Sequence, residues 1–490
     1  MAKYEIKDGV GIIPERTKVI KEEAFKYCNE LTSIIIPASV TEIRGWAFYG
    51  CTGLTSITIP DSVKVIGECA FSKCTGLTSI TVGNSVTEIG NSSFKGCTAL
   101  TSITIPDSVK EMGHSSFNDC TSLTSITIGN SVTKIENYAF NGCTGLKSIV
   151  IPDSVTEIRG WAFSKCTGLT SITIGNSVAK IGKYAFDGCT GLTSINIPDS
   201  VTEIGSNAFG NCTGLTNINI PDSVTEIGSN VFHGCTGLTG ISVSKGNKYY
   251  DSRDNCNAII ETKTNILIQG CATTLISDSV TEIGDYAFGT CTGLTNINIP
   301  ESVKEIGERA FEGCTVLTSI TIPDSVTEIG DYVFHGCTGL TNINLPDSVK
   351  EIGKGVFEGC TGLTSITIPD SVVEIGDYTF EGCIGLTSIA IPNSVTEIGD
   401  YAFEDCTGLS SIVIGNSVTK IGDSIFNGCN NLESIYCRVE DPTQIEIESG
   451  VEIGGHQATL YVPAGKGVVA AYKKKAVWKK FAAIKPMEEK

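Results

Sequence analysis

The stretch Cys51-Thr52-Gly53-Leu54-Thr55-Ser56-Ile57-Thr58-Ile59-Pro60-Asp61-Ser62-Val63, running on through Ile66-Gly67 and Ala70-Phe71 to Cys74, decides the fold. From Ser56 to Ile59 polar and apolar residues alternate, the period of a strand buried on one face. Pro60 ends that strand because its nitrogen has no proton for a ladder, and Asp61-Ser62 favours a turn. Val63 and Ile66 then point back inward and Gly67 permits a bend. Ala70-Phe71 opens a second inward cluster, read as a single helical or 3-10 turn ending near Cys74. The same text returns at a constant step of 23 residues, from Cys28 to Cys235 and again from Cys291 to Cys429. A unit this small cannot bury its own apolar face, so the Leu, Ile, Val, Ala, Phe and Cys positions of successive coils must form one continuous core. The fold class is a repeat solenoid, with a β-strand and a short helical or 3-10 turn in each 23-residue coil.

The order L-x-x-I-x-I, followed by an inward Val, a Phe and a Cys, resembles a leucine-rich repeat. The unit I-P-x-S-V-T-x-I-G-x-x-A-F-x-x-C resembles the BspA-like subfamily, from about Ile13 to Cys437. That resemblance implies a leucine-rich-repeat-like, curved right-handed superhelix. It also implies a bacterial adhesin, or a surface that binds host or matrix proteins, at the cell surface or secreted.

Composition narrows the partners. The 490 residues carry 35 Lys and Arg against 54 Asp and Glu, a net charge of −19. Nucleic acids and anionic membrane surfaces are polyanions, so neither suits this chain. No apolar run of ~20 residues is present to span a bilayer. A start of Met1-Ala2-Lys3-Tyr4-Glu5 has no apolar leader segment. A native chain beginning at Met1 would therefore be cytoplasmic, the opposite of what the resemblance implies, and the alternative function is an intracellular scaffold without a small-molecule ligand. Catalysis is not expected. Only 4 His are present, a translational repeat sets like beside like, and no nucleophile-elbow, zincin or phosphate-loop motif occurs in a strand–loop–helix setting. No cofactor and no metal are expected, and the chain is expected to be a monomer.

The repeat breaks in one interior place and at both ends. Five segments follow: a degenerate N-terminal cap over 1–28, regular repeats over 29–240, an irregular insertion over 241–277, regular repeats over 278–437, and a C-terminal cap over 438–490. Within the insertion, Asn257 to Glu261 and Asn265 to Gln269 read as a β-hairpin turning at Lys263-Thr264. Cys256 and Cys271 are equidistant from that turn, so they are either bridged or two free thiols. At the C-terminus Leu460-Tyr461-Val462 reads as a last strand and Val468 to Ile484 as a basic amphipathic helix, with Tyr472, Trp478, Phe481 and Ile484 covering the core. Residues 463–490 hold 8 Lys against 2 Glu, read as a solvated helix face.

The ladder cysteines, one per coil, lack the close pairs of a metal site and read as a column of buried small hydrophobes. Cys69 and Cys437 fall outside it and are the candidates for reactive thiols. Period 2 turns one pair of polar residues per coil outward, and these are the candidate binding residues: Ser56 and Thr58, Ser79 and Thr81, Ser102 and Thr104, Ser125 and Thr127, Ser171 and Thr173, Asn217 and Asn219, Asn296 and Asn298, and Asn342 and Asn344. Tyr249, Tyr250 and Arg253 in the insertion complete the candidate patch. The columns suit weak, multivalent polar contact with an extended protein or a glycan. A further stripe, Glu88, Glu111, Glu157, Glu203 and Glu226, then Glu282 to Glu397, stacks like charges one coil apart. Such stacking costs stability, so the stripe reads as a device for solubility.

Overall fold

A computed structural model of the chain describes residues 4–447 and 453–488. The chain divides into two compact units, Met1–Tyr250 and Asp251–Lys490.

In the first unit the alternating stretch forms parallel strands. Ser56–Thr58, Ser79–Thr81, Ser102–Thr104 and Ser125–Thr127 share one sheet, with Ser56 opposite Ser79, Ile57 opposite Ile80 and Thr58 opposite Thr81. Each strand keeps its isoleucine inside and its hydroxyl residues in solvent. The second unit repeats the arrangement, with Ser319–Thr321 against Asn342–Asn344 and Ser388–Ala390 against Ser411–Ile414. A strand of three residues has no stability alone; the register holds because every one-residue slip would turn isoleucine outward.

A second column of parallel strands was not legible in the repeat. Val19–Ile20, Glu42–Ile43, Val65–Ile66, Glu88–Ile89 and Glu111–Met112 form a five-stranded sheet of two-residue strands. Two residues show no periodicity in sequence, and pairing arises only because the next coil offers identical backbone at the same height.

The segment before each ladder cysteine contains 3-10-type bonds but is not a helix. Tyr49 N donates to Trp46 O and Cys51 N to Phe48 O at 3.1 Å, whereas Trp46, Phe48 and Gly50 donate forward to Glu68, Ala70 and Ser72 of the following coil at 2.9, 2.7 and 2.8 Å. Alternate N–H groups thus close local turns and link coils. That alternation requires left-handed backbone twice per coil, at Trp46 (φ 53°) and Gly50 (φ 70°) in this one.

Behind both sheets lie two core columns. Phe25, Phe48, Phe71 and their successors to Phe232 are stacked with centroids 5.0–5.6 Å apart and planes within 3–13°. Beside them the ladder thiols from Cys51 to Cys235 each donate to the phenylalanine carbonyl of the preceding coil, Cys51 to Phe25 at 2.9 Å and Cys74 to Phe48 at 3.0 Å. The cysteine is therefore a small hydrophobe that also satisfies a buried carbonyl, a role valine or alanine cannot fill. All 21 cysteines are free, Cys256 and Cys271 among them. Burial pushes the Cys74, Cys166 and Cys383 thiols up to about 12. Burial also raises Cys69 and Cys437, so the two residues expected to be reactive lack the electropositive, exposed setting that lowers a thiol pKa.

The insertion hairpin pairs Ile259–Glu261 with Ile266–Gln269, antiparallel with a bulge. Its second strand opens the short-strand column of the second unit, Ile266 opposite Glu282 and Leu267 opposite Ile283. At the chain start a hairpin of Glu5–Lys7 and Val10–Ile12 closes the first coil, with Tyr4 stacked on Phe25 at 5.5 Å. At the other end the strand expected at Leu460–Val462 is Thr459–Val462, and the helix expected from Val468 to Ile484 is only Val468–Lys474. Ile484 lies instead on a strand, Ala483–Pro486, parallel to Thr459–Val462. An extra strand covers the exposed sheet edge more completely than a helix would. Tyr472, Trp478, Phe481 and Ile484 are all buried over the core. Among the described residues no helix is long and apolar enough to cross a membrane.

Candidate functional site

The outward columns are built as the period requires. Ser56, Thr58, Ser79, Thr81, Ser102, Thr104, Ser125, Thr127, Ser171 and Thr173 are exposed, as are Asn217, Asn219, Asn296, Asn298, Asn342 and Asn344. A neighbouring column shows what a structural hydroxyl looks like. Thr78 Oγ1 donates to Thr55 O at 3.0 Å, Thr124 to Thr101 at 3.0 Å and Thr170 to Lys147 at 3.1 Å. The ten candidate serines and threonines from Ser56 to Thr173 make no such bond among the described residues; their polar groups face water. The asparagines are mixed: Asn219 exchanges bonds with Ser244 and Ser242 at 3.1 and 3.0 Å, and Asn217 holds Thr216 at 3.0 Å.

In the insertion the three candidate residues separate. Tyr249 is 51% exposed, whereas Tyr250 is 7% exposed, its hydroxyl accepting from Ile227 N at 3.1 Å. Arg253 is held by the chain itself, bidentate to Asp251 at 2.8 and 2.6 Å and donating to Asn265 at 2.7 Å. Tyr250 and Arg253 thus build the insertion, and Tyr249 is the one presented outward.

The glutamate stripe occupies the two-residue strands, and lysines interrupt it in the first unit. Lys134 pairs with Glu157 at 3.6 Å and Lys180 with Glu203 at 2.6 Å. In the second unit it stands in register, Glu282 opposite Glu305 and Glu305 opposite Glu328, then Glu351 opposite Glu374 and Glu374 opposite Glu397. Partial burial first, and the neighbouring carboxylates second, raise Glu282, Glu305 and Glu374 above the ordinary range.

A third surface was missed. The left-handed position five residues before the ladder cysteine carries a large side chain in nine coils: Trp46, Tyr138, Trp161, Tyr184, Tyr286, Arg309, Tyr332, Tyr378 and Tyr401. Bulky residues are disfavoured there by about 1–2 kcal/mol, and their neighbours stack across coils. Tyr138, Trp161 and Tyr184 stand face to face at 5.1 and 5.0 Å, and Tyr378 on Tyr401 at 5.1 Å. The sequence holds the signal, visible only when one slot is read down the 23-residue step rather than along the chain. The same reading corrects the premise that a repeat sets only like beside like. His114 lies 3.4 Å from Glu136, and His335 lies between Glu312 and Glu358 at 3.3 and 3.4 Å, because single substitutions in one slot meet different groups one coil away. The glutamates raise His335 above its ordinary value.

Against this geometry the profile of the BspA type leucine rich repeat region (6 copies) matches residues 11–124, 110–239, 270–372 and 350–449. The chain belongs to the BspA-type leucine-rich-repeat family. Solved structures similar to this BspA-type chain include a leucine-rich repeat protein from Bacteroides ovatus, 30% identical over 85% of this chain and 82% of that one, with a TM-score of 0.38. A leucine rich cell surface protein from Faecalibacterium prausnitzii is 27% identical over 84% and 87%, at 0.44. The pneumococcal vaccine antigen PcpA is 19% identical over 89% of each chain, at 0.42. No curated protein sequence matches the BspA-type chain.

Proposed function

We propose that this BspA-type chain is a non-enzymatic interaction solenoid whose strand face binds an extended protein, as an adhesin or a host- or matrix-protein-binding surface, with Tyr249 as a supplementary contact. One observation carries the reading: the Ser/Thr columns of the strand face direct their hydroxyls to solvent, while the adjacent threonine column uses its own on the backbone. Hydroxyls at a fixed spacing bind weakly one at a time and gain strength by number along a partner. The surface lacks the Trp and Arg anchors of a compact hot spot, which fits many weak contacts better than one tight one.

Immobilised matrix proteins, among them fibronectin, fibrinogen and laminin, test this in a plate or surface-plasmon format. The triple variant Thr58→Lys, Thr81→Lys and Thr104→Lys changes exposed side chains and leaves the inward isoleucines intact. A drop in binding of at least tenfold at unchanged circular dichroism is expected. Equal binding by variant and parent, or no binding by the parent above an albumin surface, would refute the reading. The intracellular scaffold is favoured by a different observation, the 21 free thiols, which suit a reducing compartment. Cell fractionation of the native host separates the two, since an adhesin is reached by external protease and a scaffold is not.

A further inference from the structure

In the second unit one column of left-handed positions reads Tyr286, Arg309, Tyr332, Gly355, Tyr378, each 23 residues after the last. Its upper part is a sandwich. The Arg309 guanidinium lies over Tyr332 at 4.4 Å and over Tyr286 at 5.9 Å. Glu312 and Glu308 hold it from the side at 3.1 and 3.3 Å. Cation–π attraction works within ~6 Å of a ring, so this is a complete guanidinium site, occupied by the chain's own arginine.

One coil further the pattern repeats with its centre missing. Gly355 stands where an arginine would be, between Tyr332 and Tyr378, and a cavity of about 310 Å³ opens there, lined by Arg309, Tyr332, His335, Glu358, Tyr378 and Glu381. The carboxylates are again at the side. Glu358 faces His335 at 3.4 Å, while Glu381 is half-buried and its carboxylate has no hydrogen-bond or salt-bridge partner among the described residues. Burial, with Glu358 and Glu404 behind it, pushes Glu381 above the usual carboxylate range. Gly355 has φ +55°, and a Cβ there would collide with the Tyr332 ring, so that ring reaches over the glycine and forms one wall.

We propose that this gap is a binding slot for the guanidinium of an arginine side chain on a partner protein, seated between Tyr332 and Tyr378 with Glu381 as its carboxylate. Arg309 supplies the template in the same molecule, and the acidic surroundings supply the charge complementarity. A planar guanidinium offers both a stacking face and a fork of N–H donors; a lysine ammonium offers only the charge. The slot lies on a different surface from the strand columns, so it stands or falls separately from the adhesin reading.

The test uses the full chain and saturation-transfer NMR, with N-acetyl-argininamide, N-acetyl-lysinamide and maltotriose as probes. Arginine is expected to bind in the millimolar range and at least threefold more tightly than lysine, weakening as salt rises. Glu381→Gln and Tyr378→Ala should each weaken it by about fivefold or more. Gly355→Arg should abolish binding, because the slot then fills from within as it does at Arg309. Where Gly355→Arg changes the circular dichroism spectrum, the other two variants decide. Equal affinity for arginine and lysine, arginine binding unmoved by Glu381→Gln and Tyr378→Ala, or saturation by maltotriose instead of arginine would overturn the proposal.

Discussion

Phe163 tests whether ring stacking, rather than burial alone, joins one coil to the next. It is fully buried, 5.2 Å from Phe140 and 5.4 Å from Phe186. Phe163→Ala removes the whole ring and should cost about 3–5 kcal/mol, the range for an aromatic cut from a core. Phe163→Leu is more diagnostic, since it keeps most of the apolar volume but loses both ring pairs. At ~0.5–1.5 kcal/mol for each pair beyond area burial, the expected loss is about 1–3 kcal/mol. Pairing also fixes how two such changes combine. Phe140→Leu and Phe163→Leu share one ring pair, so the double variant should lose about 0.5–1.5 kcal/mol less than the sum of the singles. Phe94→Leu shares no pair with Phe163→Leu, and those two should add within about 0.5 kcal/mol. A solenoid opens in pieces, so a single denaturation midpoint blurs the effect. Native-state hydrogen exchange of peptides from 143–189, followed across sub-denaturing urea, reads the local opening energy. Phe163→Leu within 0.5 kcal/mol of the parent, or a neighbour pair as additive as the distant one, would refute the stacking account.

Three further outcomes are expected. At pH 8 a thiol held at about 12, such as Cys166, is thiolate for about one ten-thousandth of molecules; the native ladder should resist iodoacetamide and label fully only in denaturant, as mass spectrometry would count. The raised Glu282, Glu305 and Glu374 take up protons more readily folded than unfolded, so their contribution is fully present below the ordinary Glu value of about 4.3 and is lost as pH rises through the raised values. Glu374→Gln, between Glu351 and Glu397, should therefore raise the urea midpoint at pH 7 and shrink the stability gained on acidifying toward pH 4.5. Trp478 is 1% exposed against Tyr472 and Phe481, so Trp478→Ala should cost about 3–5 kcal/mol and bare the last sheet edge, seen as concentration-dependent association in light scattering.

The constant 23-residue step was sufficient to specify the solenoid, the strand at Ser56–Thr58, the buried Phe and Cys columns and the exposed hydroxyl columns. Each of those follows from local alternation and from the need of a small coil to lean on its neighbour. What the chain alone left open depends on groups that meet only across coils. The second sheet of Glu–Ile strands has no period to read in two residues. Cys74 gains its purpose from the carbonyl of Phe48, and Ile484 its strand from the open edge at Leu460. The slot at Gly355 exists because Tyr332 and Tyr378, 46 residues apart in the chain, flank a position that has lost its side chain. Sequence decides what each coil can offer; stacking decides which groups meet, because contact between coils depends on register rather than on neighbourhood along the chain.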